Sequence, residues 1–375
     1  MPQDLYPLEE NVQGEPHIIL NNSEGKEWIF PVDNVAVGMN IYQPSSWKGK
    51  MVKRVLPTLQ KYPLILTKLH IDVKNMRLDG QIKQYLQILL GENIEYSVFL
   101  GTPSPNQKVT MQINRGQDCF AYVKISEKKH IMEYFQKEYN LLQFLEKAGM
   151  RGVPKAIGLK QIDNCLIFVQ SGDKSGKESE AAHFGSQHIE FLQELYQKTR
   201  VIKPFAETEY SRNLIDLQKL IGYFGKEEEG IFQKSIKKVR DFFSKETVFY
   251  LYHGDFTPWN MYLKKNCLQV FDFEYAKREY PQFLDIFHFY TQIWRLVRHK
   301  SKDEIWDLYC RIRGRWQKEL EIENINLYYM AYLLDIVHEN LVLEKIADKK
   351  ISGSYYELWL YLLKKLNGGG LKDGI

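Results

Sequence analysis

The sequence predicts an α+β chain in two unlike parts, preceded by a small α/β extension. Short runs with β texture crowd the stretch from Tyr96 to Gln170, and apolar residues at three- and four-residue spacing dominate from Phe184 onward. A polar run from Ser171 to Glu180, with two glycines, separates the parts. The expected division is an extension over 1–94, a five-stranded antiparallel lobe over 95–171, a mostly helical lobe over 172–367 and a flexible tail over 368–375.

Composition bounds the class. A chain of 375 residues with 44% hydrophobic content can bury a sizeable core. Its 51 basic and 47 acidic residues leave a net charge of +4, a total from which neither nucleic-acid nor membrane binding follows, and no nucleic-acid partner is expected. Cys119, Cys165, Cys267 and Cys310 stand far apart in no metal-ligand spacing and read as reduced thiols. The segment MPQDLYPLEE is no secretory signal, and no apolar run reaches the ~20 residues of a membrane helix. The expectation is a cytoplasmic protein.

In chain order, 17–20 and 27–32 read as strands around the turn 21–25, and 48–61 and 81–90 as helices, the first weakened by Pro57. Three strands follow at 96–100, 108–114 and 119–125, joined by Gly101-Thr-Pro-Ser-Pro-Asn and Arg115-Gly-Gln-Asp, both turn-forming. Lys124 lies near the end of the third. Glu138 comes fourteen residues later on a helix over 131–147, where Met132, Phe135, Tyr139, Leu142 and Leu145 recur at helical spacing. Strands at 153–159 and 164–170 complete the five. Helices are expected at 187–198, 210–224, 231–244, 283–298, 303–320, 327–346 and 354–366.

The chemistry concentrates between Tyr250 and Phe289. Asp255, Asn260 and Asp272 are short oxygen-bearing side chains among apolar ones, and Gly254 and Pro258 turn the backbone between the first two. Apolar triplets at 249–251 and 268–271 place Asp255 and Asn260 on a tight connection and Asp272 at the end of a strand. Phosphoryl transfer uses such a trio: one carboxylate orients the attacking hydroxyl while Mg²⁺, which prefers oxygen ligands, bridges the nucleotide phosphates. Asp255 fits the first role, Asn260 and Asp272 the second.

The run H-G-D-x-x-x-x-N from His253 to Asn260, followed by an apolar strand and Asp272-Phe-Glu-Tyr-Ala, resembles the catalytic and metal segments of the aminoglycoside phosphotransferase and choline/ethanolamine kinase superfamily. It also echoes H-R-D-x-x-x-x-N and D-F-G of protein kinases, with Gly254 in place of the Arg. The resemblance implies a bilobal protein-kinase-like fold with MgATP between the lobes. Lys124, in Ala121-Tyr-Val-Lys, takes the V-A-I-K position on the phosphates, held by Glu138, and the backbone around Val169 and Gln170 meets the adenine edge. His253 and Asp285 support the catalytic loop, Asp285 through backbone hydrogen bonds, although an ordinary helix N-cap would explain it too. Glu274 joins the metal shell or faces the acceptor.

The acceptor implied is a small-molecule alcohol: choline, ethanolamine, an amino sugar or a glycan precursor. Phe287, Phe289, Tyr290 and Trp294 form either a stacking wall or helix core, and Arg295, Arg298, His299 and Lys300 could make the mouth basic. One departure is the first turn, with a single glycine and two prolines where G-x-G-x-x-G stands in protein kinases. Two rivals stay open. A polypeptide kinase is opposed by the twelve residues between Asp272 and Asp285, too few for a long activation segment; a lapsed scaffold is opposed by the intact Lys124, Asp255, Asn260 and Asp272.

Overall fold

The computed structural model describes residues 7–44, 47–59, 71–174, 179–346 and 353–368. The expected tail, apart from Gly368, lies outside them, as do the last two residues of the helix expected over 48–61. The chain divides into two compact units. The first comprises Met1–Lys147, Val153–Ser179 and Leu263–Lys265, the second Ala148–Gly152, Glu180–Tyr262 and Asn266–Ile375.

The first unit is built on β1 (Leu8–Asn21), β2 (Glu27–Pro31), β3 (Asp72–Leu78), β4 (Glu95–Leu100), β5 (Val109–Arg115), β6 (Asp118–Ser126), β7 (Ala156–Ile162) and β8 (Cys165–Lys174). They form one antiparallel sheet in the order β3-β1-β2-β4-β5-β6-β8-β7. Eight strands replace the five expected, and burial explains why. Strand alternation sends successive side chains to opposite faces. Ile19, Ile29, Met76 and Leu78 therefore join Val98, Met111, Val123 and Ile167 in one core, while Ile18, Trp28 and Phe30 turn the other way onto Val35, Met39 and Tyr42.

Helices cover both faces. α1 (Trp47–Leu59) contributes Leu56 to the second cluster. α2 (Gly80–Leu90) lays Ile82, Leu86 and Leu90 on the first, and its start is fixed by the Asp79 carboxylate, which accepts from the Gln81 and Ile82 amides at 3.0 Å. α3 (Lys129–Lys147) brings Phe135 and Tyr139 against Phe168 of β8, with ring centroids 6.3 and 6.0 Å apart.

The second unit is mostly helical: α4 (Ser186–Thr199), α5 (Glu209–Leu220), α6 (Lys226–Phe243), α7 (Leu284–Gln292), α8 (Lys302–Glu319), α9 (Ile325–Ile346) and α10 (Gly353–Asn367). The helix expected over 283–298 changes character after Gln292, where Ile293–Val297 winds as a π turn. Four short strands carry the chemistry-bearing loops: β9 (Val248–Tyr252), β10 (Met261–Lys264, whose last two residues belong to the first unit), β11 (Cys267–Val270) and β12 (Lys277–Tyr280). The last reads Lys-Arg-Glu-Tyr and escapes a search for apolar strands. It is paired to β9 and anchored by charge pairing: Lys277 Nζ lies 2.9 Å from Asp335 and 2.8 Å from Glu339, and the buried Tyr280 donates its hydroxyl to Asp335 at 2.9 Å. Burial pushes the Lys277 pKa down, and the two carboxylates outweigh it and raise it.

Because β1–β3 share the core of β4–β8, removing residues 1–94 is expected to expose the edge of β4 and open that core, leaving the remainder insoluble or molten. Circular dichroism and limited proteolysis of that truncation check this. A cooperative, soluble 95–375 fragment would contradict it.

Candidate active site

The sequence-assigned residues divide between the units. In the first, Lys124 of β6 and Glu138 of α3 meet: Lys124 Nζ is 2.9 and 2.6 Å from the two Glu138 oxygens, both side chains at 5% exposure or less. A buried ammonium is tolerable only with such a partner. Val169 and Gln170 lie in mid-β8, paired with Val123 and Tyr122 on one side and with Gly158 and Ala156 on the other. The turn after β4, lacking the glycine-rich pattern, is tied by side chains. Gln107 Nε2 donates to Gly101 O at 2.7 Å, Lys128 Nζ to Ser104 O at 2.9 Å, and His130 meets Asn106 Oδ1 at 3.1 Å.

In the second unit the site grows from the end of β9. The chain must reverse sharply there, and Gly254 does it at φ +82°; a Cβ on it would sit 2.3 Å from Tyr275 O. No side chain fits, which is the physical reason for glycine at this position. The reversed loop is then held by Asp285, one of two polar groups that the otherwise apolar first turns of α7 bury on this face. Its carboxylate accepts from His253 N at 3.1 Å and from Gly254 N at 3.3 Å. The N-cap alternative is overturned, because the residue flanking α7 is Phe283 and Asp285 lies inside the first turn. Burial raises its pKa to about 7, opposed by the two amides.

His253 works in both directions. Its Nδ1 accepts from Asp255 N at 3.2 Å, so the proton is on Nε2, which donates to Phe271 O at 3.2 Å. Burial lowers its pKa to about 4, so the ring is neutral, as an Nδ1 acceptor requires. Phe271 N in turn donates to Asn260 O at 3.0 Å. These bonds stitch the strand end carrying Asp272 to the loop carrying Asp255 and Asn260. Asp272 itself adopts the left-handed conformation, φ 66° and ψ 63°, uncommon outside glycine. Glu274 follows, half-buried, in the single turn Phe273–Tyr275.

Asp255 is gripped at both carboxylate oxygens. Asn260 Nδ2 donates to Oδ2 at 2.7 Å and to the Asp255 carbonyl at 3.0 Å, while His288 Nε2 lies 3.1 Å from Oδ1. An ionised carboxylate only accepts, so His288 carries its proton on Nε2. Sequence reasoning passed over His288. The available signal was its position one helical turn after Asp285 in Leu-Asp-Ile-Phe-His-Phe, two polar residues on one face of an apolar helix. The aromatic alternatives resolve toward core: Phe287, Phe289 and Trp294 are buried, and Tyr290 packs on Trp316 at 4.7 Å. Arg295 stacks over Trp359, 5.0 Å from its ring centre.

No family model matches the sequence, and no curated protein matches it either. Solved structures do. A thermostable mutant of the aminoglycoside phosphotransferase APH(4)-Ia superposes with a TM-score of 0.52 at 9% identity over 77% of this chain and all of its own. A variant of that enzyme in a ternary complex with ADP and hygromycin B gives 0.52 at 10% over 79% of this chain, again covering all of its own. Choline kinase LicA from Streptococcus pneumoniae gives 0.50 at 13% over 77% of this chain and 98% of its own. The chain has the protein-kinase-like fold that these structures share.

Gly254→Ala is expected to destabilise the second unit by roughly 3 kcal/mol, since both the positive φ and the Tyr275 carbonyl oppose a methyl group. Gly222→Ala, where a Cβ would meet nothing within 4 Å, is the control and should be near neutral. Thermal melts of both variants decide; equal melting temperatures would refute the crowding.

Proposed function

We propose that the protein is an ATP-dependent phosphotransferase that moves the γ-phosphate to the hydroxyl of a small molecule. The single observation that carries this reading is the gripped carboxylate of Asp255. Asn260 and His288 fix both oxygens, which leaves the remaining lone pairs in a set direction for an incoming hydroxyl. The neighbours with this fold bind ADP with hygromycin B in one case and are named a choline kinase in another, which supports a small-molecule acceptor over a polypeptide.

In this mechanism Asp255 accepts the hydrogen bond of the acceptor hydroxyl and orients its oxygen in line with the γ-phosphorus. As the new O–P bond forms and the bond from the γ-phosphorus to the bridging oxygen breaks, Asp255 takes the proton and ADP is the leaving group. Lys124, presented by Glu138, neutralises charge on the nucleotide phosphates. The residues present fit a hard divalent cation. Asn260 commits its amide nitrogen to Asp255, so its oxygen would be the ligand atom, and Asp272 would add a carboxylate. Mg²⁺ held by that pair would supply charge neutralisation at the transferring phosphoryl group. Glu274 would be the third oxygen donor, toward metal or acceptor.

The test is ADP release from MgATP across a panel of small alcohols, amino sugars and glycans. Asp255→Asn is expected to lower kcat by roughly 10²–10⁴ with nucleotide affinity nearly unchanged, whereas Asp272→Ala should abolish the Mg²⁺-dependent part of nucleotide binding. Wild-type-like turnover in Asp255→Asn would sink the assignment. His288→Ala should cost roughly tenfold in kcat at unchanged nucleotide KM, with partial recovery in His288→Gln, which restores an N–H donor. A rise in nucleotide KM alongside the fall in kcat, with no recovery in His288→Gln, would make His288 merely structural.

A further inference from the structure

The outward face of α1 is inverted relative to an ordinary surface helix. Gly49 and Leu56 are buried and Lys53 is half-buried, donating from Nζ to Tyr42 O at 2.6 Å, so this side faces the protein. On the opposite side, where a globular protein places charge, stand Trp47 at 70% exposure, Met51 at 52% and Val55 at 39%, one above another at four-residue spacing, with Val52 beside them. Exposed cations flank the stripe: Lys50 and Arg54 along one edge, Lys48 along the other. The helix carries no acid, and none occurs in the sequence between Asp33 and Asp72, although the whole chain holds 47 acids against 51 bases.

We propose that α1 is an interfacial helix that docks the protein on an anionic lipid surface. The chemistry selects that partner. A polyanion such as nucleic acid would satisfy Lys48, Lys50 and Arg54 but leave Trp47, Met51 and Val55 in water. An apolar protein groove would take the stripe and gain nothing from cations along both edges. A headgroup layer takes both at once: the apolar side chains reach the acyl boundary, the indole sits at the interface, and the cations meet lipid phosphates. The helix is too short and too charged to span a bilayer, and no helix among the described residues is long and apolar enough to do so. The inference stands on geometry apart from the phosphotransferase reading.

The experiment is sedimentation of the full-length protein with sucrose-loaded vesicles of phosphatidylcholine alone and of phosphatidylcholine with phosphatidylglycerol, at low and high salt, beside a DNA duplex as a competing polyanion. Binding is expected only to the anionic vesicles, roughly fivefold weaker for each of Lys48→Gln and Lys50→Gln, weaker at high salt, and lost in the double variant Trp47→Ser, Met51→Ser. Trp47 emission, taken as the difference between wild type and Trp47→Phe, should shift to the blue on these vesicles, a readout independent of how the double variant folds. No binding to anionic vesicles at low salt, binding that survives loss of the apolar stripe, equal capture by DNA, or an unshifted Trp47 would each overturn the proposal.

Discussion

One neutral, fully buried imidazole holds the candidate catalytic loop in shape. His253 accepts from the amide of Asp255 on one ring nitrogen and donates to the carbonyl of Phe271 from the other, so the two segments that bear the candidate base and the candidate metal ligands are tied to one ring. This works only if the ring is uncharged, which burial ensures. Asp285 completes the arrangement from α7 by taking the two preceding amides, an accommodation possible because Gly254 reaches φ +82°. Asp255 then inherits its placement from backbone geometry, and His288 and Asn260 refine it at the carboxylate itself. Side-chain precision of this kind is inexpensive when the supporting groups are already buried and paired.

Charge burial recurs as a structural device. Lys124 with Glu138 in one unit and Lys277 with Asp335 and Glu339 in the other each bury an ammonium against carboxylates held on a helix. Removing one partner alone from either site would leave an uncompensated buried charge, at a cost of roughly 3–5 kcal/mol. Such pairs fix position more than they add stability. For Lys124 the position is the function proposed; for Lys277 it is the seating of β12 beside β9, the strand that leads into the candidate loop.

Much of this was legible in the sequence for reasons that can be stated. The helices of the second unit announce themselves by period, and the spacing from His253 to Asn260, followed by an apolar strand and Asp272, is local enough for a motif to carry. What escaped depends on partners distant in sequence. β3 reads Asp-Val-Lys-Asn-Met-Arg-Leu, and only its pairing with β1 shows that Met76 and Leu78 face a core. β12 looks like surface until Asp335 and Glu339 are brought to Lys277. His288 lies 33 residues from the carboxylate it touches, and an isolated histidine on an apolar helix is most often core. The break of α7 into a π turn after Gln292 has no local sequence mark such as proline.

The imidazole can be examined by itself, and it has to be. Its lowered pKa makes the fold lose stability as pH falls from 6.5 toward 4, while the raised pKa of Asp285 acts in the opposite sense between 3.8 and about 7, so a global stability profile mixes the two. Long-range ¹H–¹⁵N spectra of the imidazole nitrogens, assigned through a His253→Gln variant, separate them. The account predicts a His253 ring protonated on Nε2 alone, and neutral from pH 7 down to about 4. A ring protonated on Nδ1, or one that titrates at its ordinary 6.5, would contradict it.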